Sequence, residues 1–371
     1  MSSLSRRERV PALFFLSPPV HFARKILRFE FIQKARNVTL VRITVTLFLH
    51  RPHAIFLALA AFTFLVPHAW TAEPPAAQNG MEVVALGTGG PGATGRASSG
   101  YIVSFNGAPR ILIDAGGGTF ARVSELHLSL EAMDLALFTH LHIDHCADFP
   151  AICKARGVVH NGPYTFHVFG PIGAGQYPSV SQWLKLLFGK DGAFAYQPDF
   201  NGHETFVPTD LTLDLAKAPA KIYEQEGIQI SAVATHHGDC PSVAYRVNYE
   251  GASVTFSGDL DVSALPNLVK LAANTDLLVA NAVVLDPPGS PEILYELHSP
   301  PAAIGEAARD GHVKRLLLSH ITPAIERNLK SVKDSIGRSY LGPIEVAEDK
   351  ARYLVPPLSV KLVSPEPQGK R

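Results

Sequence analysis

The chain has 371 residues, 46% of them hydrophobic, 18% charged and 9% aromatic, with 33 Lys/Arg balanced by 33 Asp/Glu. That composition excludes an intrinsically disordered chain, a collagen-like repeat and a coiled coil, and the length suits one large domain or two small ones. Three cysteines (Cys146, Cys153, Cys240) are too few, and odd in number, for a disulfide scaffold.

The neutral total hides an asymmetry. Residues 1–72 carry ten Lys/Arg against two Asp/Glu, a net +8, which leaves −8 for the rest. Within this leader an apolar run, 54–66, follows Arg51 and is closed by Pro67. As a helix it rises about 20 Å, short of the roughly 30 Å hydrocarbon core. It reads as a secretory signal peptide cleaved near residue 72. The protein is therefore expected to be exported, periplasmic or secreted, with no stable membrane span in its mature form. Residues 1–80 are set apart as leader and Pro-containing linker, 81–355 as the folded domain, and 356–371 as a loose tail.

From Met81 onward short β runs alternate with helical stretches. Strands are predicted at 82–86, at 101–105 and 110–114 about an Asn106-Gly107 hairpin turn, and at 135–139; helices are predicted at 119–128 and 147–156. Residues 170–225, with a helical piece at 180–188, read as an insertion over a site. A second β-rich block covers 228–234, 243–249 and 253–257. Val243, Tyr245, Val247 and Tyr249 alternate with polar neighbours, so one face is buried. Short strands at 277–279 and 315–318 enclose a helix at 302–310. Mixed strands and helices in two β-rich halves give an α/β (or α+β) fold class.

The stretch Thr139-His140-Leu141-His142-Ile143-Asp144-His145 places three imidazoles and a carboxylate within six residues, directly after an apolar strand. In an extended segment His140 and His142 point the same way and reach one metal; where the chain turns, Asp144 and His145 reach a second. Such donors suit zinc, and also iron or manganese. Further candidates each end a strand: His236-His237, Asp259 and His320. Together they complete a two-metal set, with His140, His142 and His237 on one ion, Asp144, His145 and His320 on the other, and Asp259 bridging. Asp114 is expected to order a ligand histidine rather than bind metal. The three cysteines are not needed as ligands.

These residues resemble the metallo-β-lactamase superfamily, which carries the HxHxDH pattern followed by His, Asp and His. Within it the resemblance is to the ribonuclease Z and arylsulfatase-like branch. It rests on Leu86-Gly87-Thr88-Gly89, Arg96-Ala97-Ser98-Ser99, Ile113-Asp114-Ala115-Gly116, Pro241-Ser242-Val243-Ala244-Tyr245-Arg246, Phe256-Ser257-Gly258-Asp259 and Leu318-Ser319-His320. The resemblance implies a four-layer αββα sandwich with a binuclear site at one edge between the sheets, and its spacing favours His237 over His236. His298-Ser299 looks like the branch's His-Ser-Thr loop, with Pro300 in place of Thr. Ala280-Asn281-Ala282 stands where ribonuclease Z usually has a supporting Glu.

The expected chemistry is hydrolysis of a phosphodiester or sulfate ester by metal-bound hydroxide, with Asp144 orienting the nucleophile and His298 stabilising or protonating the leaving oxygen. The net −8 and the few lysines of 170–225 point to a small-molecule ester, with nucleic acid unlikely as a partner. Trp183, Phe188, Phe194, Tyr196 and Phe200 either line an apolar mouth over the site or pack the insertion's own core. A tRNA 3′-processing-type endoribonuclease, a lactone or β-lactam hydrolase, and a non-catalytic metal-binding sensor or scaffold are the alternatives. Relatives of this kind often form dimers, so a homodimer is an open expectation.

Overall fold

The computed structural model describes residues 80–356 except 93–94, 161 and 198–203. The leader with its expected signal peptide, and the expected loose tail beyond Pro356, lie outside the described residues. Among those described, no helix is long and apolar enough to cross a membrane.

Two seven-stranded sheets are built on the same plan, an antiparallel part followed by a parallel part. In the first, β1 (Met81–Gly87), β2 (Gly100–Phe105) and β3 (Ala108–Ala115) form an antiparallel meander. Asn106 and Gly107 both take positive φ (51° and 81°), the turn whose twist matches the flanking strands. After α1 (Thr119–Glu125), β4 (Leu135–Leu137) joins in parallel. Parallel joining needs a crossover. The short α2 (Ile143–Cys146), α3 (Phe149–Val159), β5 (Tyr164–Pro171), α4 (Val180–Phe188) and β6 (Glu204–Leu211) continue the pattern.

The second sheet starts with β7 (Ala220–Gln225), β8 (Ile228–His237), β9 (Cys240–Tyr249) and β10 (Ala252–Phe256), all antiparallel. A short 3-10 turn and α5 (Leu265–Leu271) lead to β11 (Leu277–Asn281). Then α6 (Glu292–Tyr295) and α7 (Pro301–Asp310) precede β12 (Leu316–Ser319). After α8 (Pro323–Arg327) and α9 (Leu329–Ile336), β13 (Ile344–Val346) closes this sheet, and β14 (Arg352–Val355) returns to pair with β1 of the first.

Both sheets are buried on both faces, which makes four layers. Tyr101, Ile111, Ile113 and Leu137 of the first sheet meet Tyr245, Val247, Phe256 and Leu317 of the second in the central core. Their alternate neighbours face outward: Leu112 and Ala136 pack on Val123, Phe149 and Leu184 of the helices outside the first sheet. Ala244 and Leu318 pack on Leu268, Ile304 and Val332 outside the second. The result is an αββα sandwich.

The expected insertion at 170–225 is corrected by this topology. Residues 204–211 and 220–225 are β6 and β7, the outer strands of the two sheets. Among the described residues of this span, 172–197, with α4, and 212–219 lie outside the named strands. β6 escaped notice because its burial alternates weakly, with several exposed residues as befits an edge.

Candidate metal centre

Four strands end at one edge of the sandwich and deliver the polar residues there, the usual place for a site in a parallel sheet. β4 of the first sheet runs into His140–His145. β8, β10 and β12 of the second end at or just before His237, Asp259 and His320. The sheets are stitched beside this edge. Val243 donates its backbone N–H to the Thr139 carbonyl at 2.9 Å, and the buried Tyr245 hydroxyl donates to the Phe138 carbonyl at 2.8 Å. Tyr101 and Ser319 hydroxyls also meet across the gap. Gly258, at φ 59°, sits where a Cβ would lie 2.8 Å from Thr139 Cβ, so the tight approach of the Phe256-Ser257-Gly258-Asp259 turn to the histidine segment requires glycine.

The ring nitrogens turned away from the centre have partners that fix their protonation. His145 Nδ1 donates to Asp114 Oδ2 at 2.8 Å and His237 Nδ1 donates to the Leu297 carbonyl at 2.8 Å. The Thr139 hydroxyl donates to Asp114 Oδ2, and so accepts from His140 Nδ1 at 3.1 Å. A carbonyl or carboxylate can only accept, so these three rings carry a proton on Nδ1 and turn Nε2 to the centre. His142 is reversed: its Nδ1 faces the centre, and its Nε2 lies 3.4 Å from the Tyr177 hydroxyl. Among the described residues, the inward Nε2 of His145 is buried with no hydrogen-bond partner, and so is Nδ1 of His320, which lies on the far side of its ring.

These inward atoms converge in two groups that share Asp259. In the first, His142 Nδ1 lies 3.1 Å from His140 Nε2 and 3.3 Å from His237 Nε2, while Asp259 Oδ2 lies 3.9 and 3.8 Å from those two Nε2 atoms. In the second, Asp144 Oδ2 lies 3.7 Å from His145 Nε2 and 3.2 Å from His320 Nε2, with Asp259 Oδ2 at 3.6 and 3.4 Å. Tetrahedral donors about 2.0–2.2 Å from an ion are about 3.3–3.6 Å from each other. The observed separations straddle that range, so both groups fit a divalent ion. Three-residue sets within 4.8 Å include His140/His142/His237, Asp144/His145/His320 and also His237/Asp259/His298.

Electrostatics agree with that fit. Burial holds His140 well below the usual imidazole range and lowers His142. Burial acts the same way on His145, but the carboxylates of Asp114 and Asp259 outweigh it and raise it. Burial would raise Asp259, yet His320 and His145 hold its carboxyl well below the usual value. The lowered His140 and His142 beside the ionised Asp259 suit a cation, which would displace the proton that the carboxylates favour on His145.

The structure thus brings together all eight residues singled out in the sequence: His140, His142, Asp144, His145, His237, Asp259 and His320, with His298 beside them. His298 is buried, its ring 5.0 Å from His237 and 6.0 Å from His320, and burial pushes its pKa down to about 4. His236 turns away, half-exposed, with Nδ1 2.5 Å from Asp261 Oδ2. Asp114 stands outside the donor set and accepts from Thr139 and His145. Two contributors were given no role from the sequence. Asn281 donates to Asp259 Oδ1 at 2.6 Å, and Tyr177 reaches His142 from a Gly-rich loop.

A four-layer sandwich with this edge site defines a class of metal-dependent hydrolases, and the comparisons agree. The Beta-lactamase superfamily domain model matches residues 109–321, more than half of the chain, and the protein belongs to that superfamily. It is 27% identical over 287 residues to ribonuclease Z of Mycobacterium bovis, covering 75% of this chain and 99% of the relative. The Mycobacterium avium ribonuclease Z is 28% identical, with 74% and 98% covered. Among solved structures, the metallo-beta-lactamase fold protein YhfI from Bacillus subtilis superposes with a TM-score of 0.56 at 18% identity, covering 74% of this chain and 98% of its own. The short form of human tRNase Z does so with 0.56 at 20%, covering 74% and 99%. The chain is a metal-dependent hydrolase.

One expectation is overturned. A small-molecule ester with nucleic acid unlikely conflicts with relatives named ribonuclease Z over nearly their whole length. Net charge sums the entire surface, whereas a phosphodiester is engaged by a local patch, here imidazoles poised to hold cations.

Proposed function

We propose that this protein is a binuclear zinc phosphodiesterase of the ribonuclease Z type that cleaves RNA. The observation carrying this reading is the match to ribonuclease Z along 98–99% of those relatives, joined to a donor set that fits two ions. His140, His142 and His237 would hold one ion, Asp144, His145 and His320 the other, and Asp259 both. When bound, such a pair makes water more acidic and offsets phosphate charge.

The chain's own residues supply the rest. Asp144, second in line to the centre with one carboxylate oxygen on His145 and His320, orients the attacking water. His298, buried beside His237 and not needed to complete either group, faces the leaving oxygen and donates to it. Asp114 and the Leu297 carbonyl keep His145 and His237 in the tautomer that offers Nε2 inward. The amide of Asn281, in place of a second carboxylate, steadies Asp259 through its Oδ1.

The test is zinc-loaded protein incubated with a tRNA precursor carrying a 3′ extension. Cleavage that disappears on chelation and in His142→Ala is the expected result. Turnover of bis(p-nitrophenyl) phosphate without any RNA cleavage would leave a phosphodiesterase but overturn the RNA substrate. We further propose, from the basic flank and apolar run of residues 1–72 alone, that the leader directs export. A mature N terminus near Glu73 on the exported protein is the expected mass-spectrometric result, and a chain retained in the cell with its leader intact would refute it.

A further inference from the structure

Of the seven proposed ligands, six are buried and only His142 is not. The centre therefore meets solvent beside His142, and a substrate arrives on that side. The side chain standing there is Tyr177, half-buried, its ring centroid 5.7 Å from that of His142. Local chemistry fixes the loop that carries it, between β5 and α4. Ala174 and Tyr177 exchange backbone hydrogen bonds at 3.1 and 2.9 Å, closing a four-residue turn in which Gly175 takes φ 55°. Gly173 lets the loop fold back on itself: a Cβ there would lie 2.7 Å from the Ser179 amide nitrogen and 2.9 Å from the Tyr177 carbonyl oxygen. Two residues beyond Tyr177, Ser179 caps α4 in a capping box with Gln182. The aromatic residues of α4 pack elsewhere: Trp183 lies on Phe138 and Phe149, at ring centroid distances of 5.0 and 5.2 Å, and Phe188 stacks on Phe206 at 4.9 Å. Phe200 lies outside the described residues.

The Tyr177 hydroxyl has one hydrogen bond left to give. When His142 turns Nδ1 to an ion, its Nε2 must carry the proton, so the 3.4 Å contact runs from His142 Nε2 to the Tyr177 oxygen. Hydrogen bonds of this length are common in sites without substrate and tighten in the complex. With its oxygen accepting, Tyr177 keeps its own O–H, and among the described residues no acceptor takes it. A neutral donor held at the open side of a cation site suits an anionic oxygen, to which its hydrogen bond is charge-assisted.

We propose that Tyr177 is a substrate-contacting residue of the metal centre: its hydroxyl accepts from His142 and donates to a non-bridging oxygen of the phosphodiester. The inference rests on the phosphodiesterase reading above and needs no particular leaving group. Inorganic phosphate presents the same anionic oxygens, so the contact extends to it as a probe.

The experiment reads binding without turnover. Inorganic phosphate is titrated calorimetrically into the zinc-loaded protein, and zinc per chain is measured by elemental analysis. In Tyr177→Phe, phosphate is expected to bind about tenfold more weakly, with zinc per chain unchanged. KM for bis(p-nitrophenyl) phosphate rises by a similar factor while kcat is kept, the pattern of a contact made in ground and transition states alike. Equal phosphate affinity in variant and wild type, or a loss that saturating zinc makes good, would overturn the contact and leave Tyr177 as a prop for His142. A wild type that binds no phosphate overturns it as well. Gly173→Ala displaces the loop but keeps the hydroxyl, and tests the proposal if Tyr177→Phe is unstable: weaker phosphate binding supports the contact, and unchanged affinity refutes it. If the wild type binds phosphate through Tyr177 but hydrolyses no phosphodiester, the functional reading falls alone. If it hydrolyses phosphodiesters with a phosphate affinity indifferent to Tyr177, the contact falls alone.

Discussion

Asp114 takes three hydrogens at once, from the Thr139 amide at 2.8 Å, the Thr139 hydroxyl at 2.8 Å and His145 Nδ1 at 2.8 Å, while its own backbone sits at φ 55°. It orients one proposed ligand directly and, through the Thr139 hydroxyl, a second. Asp114→Asn replaces one acceptor with a donor facing other donors. The expected outcome is a 10–100-fold loss of zinc affinity or turnover, as is usual for such orienting partners, with the fold retained by circular dichroism. Unchanged zinc binding would mean the ring of His145 is held by packing alone. Gly90 makes a complementary test, because a Cβ there would lie 2.7 Å from His320 Cε1 and 2.9 Å from its Nδ1. Gly90→Ala is expected to displace that ring and lower kcat on the order of 100-fold, the scale on which small misplacements act. Bound zinc should fall toward one per chain, measured by elemental analysis. The histidine cluster was legible in the sequence because its donors are contiguous after one strand. The partners of those donors were less so: Tyr177 and the Leu297 carbonyl reach the centre only through folding, and a carbonyl leaves no mark in a sequence.

The elements that sequence alone located best are those with strong local chemistry. The turns at Asn106-Gly107 and Glu250-Gly251 fixed their hairpins, and helix 180–188 carries a capping box in which Ser179 and Gln182 satisfy each other's backbone. What stayed hidden lacked such marks. β13 has only three residues, all half-buried; α5 begins with Leu-Pro and runs into an apolar stretch; β5 mixes His and aromatics in no clean alternation. The four-residue α2 was expected only as a turn. One element depends on a residue far from it: α1 has no capping side chain of its own, and Asp148 accepts from the backbone N–H groups of Gly118 and Phe120 at 2.8 and 3.0 Å. Asp148→Ala is expected to cost about 1 kcal/mol, the usual value of a lost N-terminal cap, read as a lower denaturant midpoint with metal content unchanged. In the central core, Leu317→Ala on the inner face of β12 is expected to cost about 2–5 kcal/mol. A loss below 1 kcal/mol would mean the two sheets close over the gap rather than keep it.

At the scale of the molecule, the proposed ligands come from both sheets: His140, His142, Asp144 and His145 follow a strand of the first, and His237, Asp259 and His320 follow strands of the second. Each ion would therefore join the two halves of the sandwich at the edge where the central core ends. Binding that exists only in the folded state stabilises it by mass action, about 4 kcal/mol for one site at a thousandfold excess of metal over Kd. For a domain of this size each kcal/mol moves the melting temperature by about 2–4 °C. Chelation should then lower the melting point by about 8 °C or more, abolish turnover, and restore both when zinc is returned. His142→Ala separates the two ions, since it touches only the group with His140 and His237. It is expected to lose turnover yet keep part of the zinc-dependent rise in melting temperature, through the group of Asp144, His145 and His320. If the variant loses the entire rise, Asp259 couples the two groups so tightly that they fill as one. If the wild type shows no rise at all, the sheets are held by their apolar core and backbone stitching alone, and the metals contribute only to the chemistry.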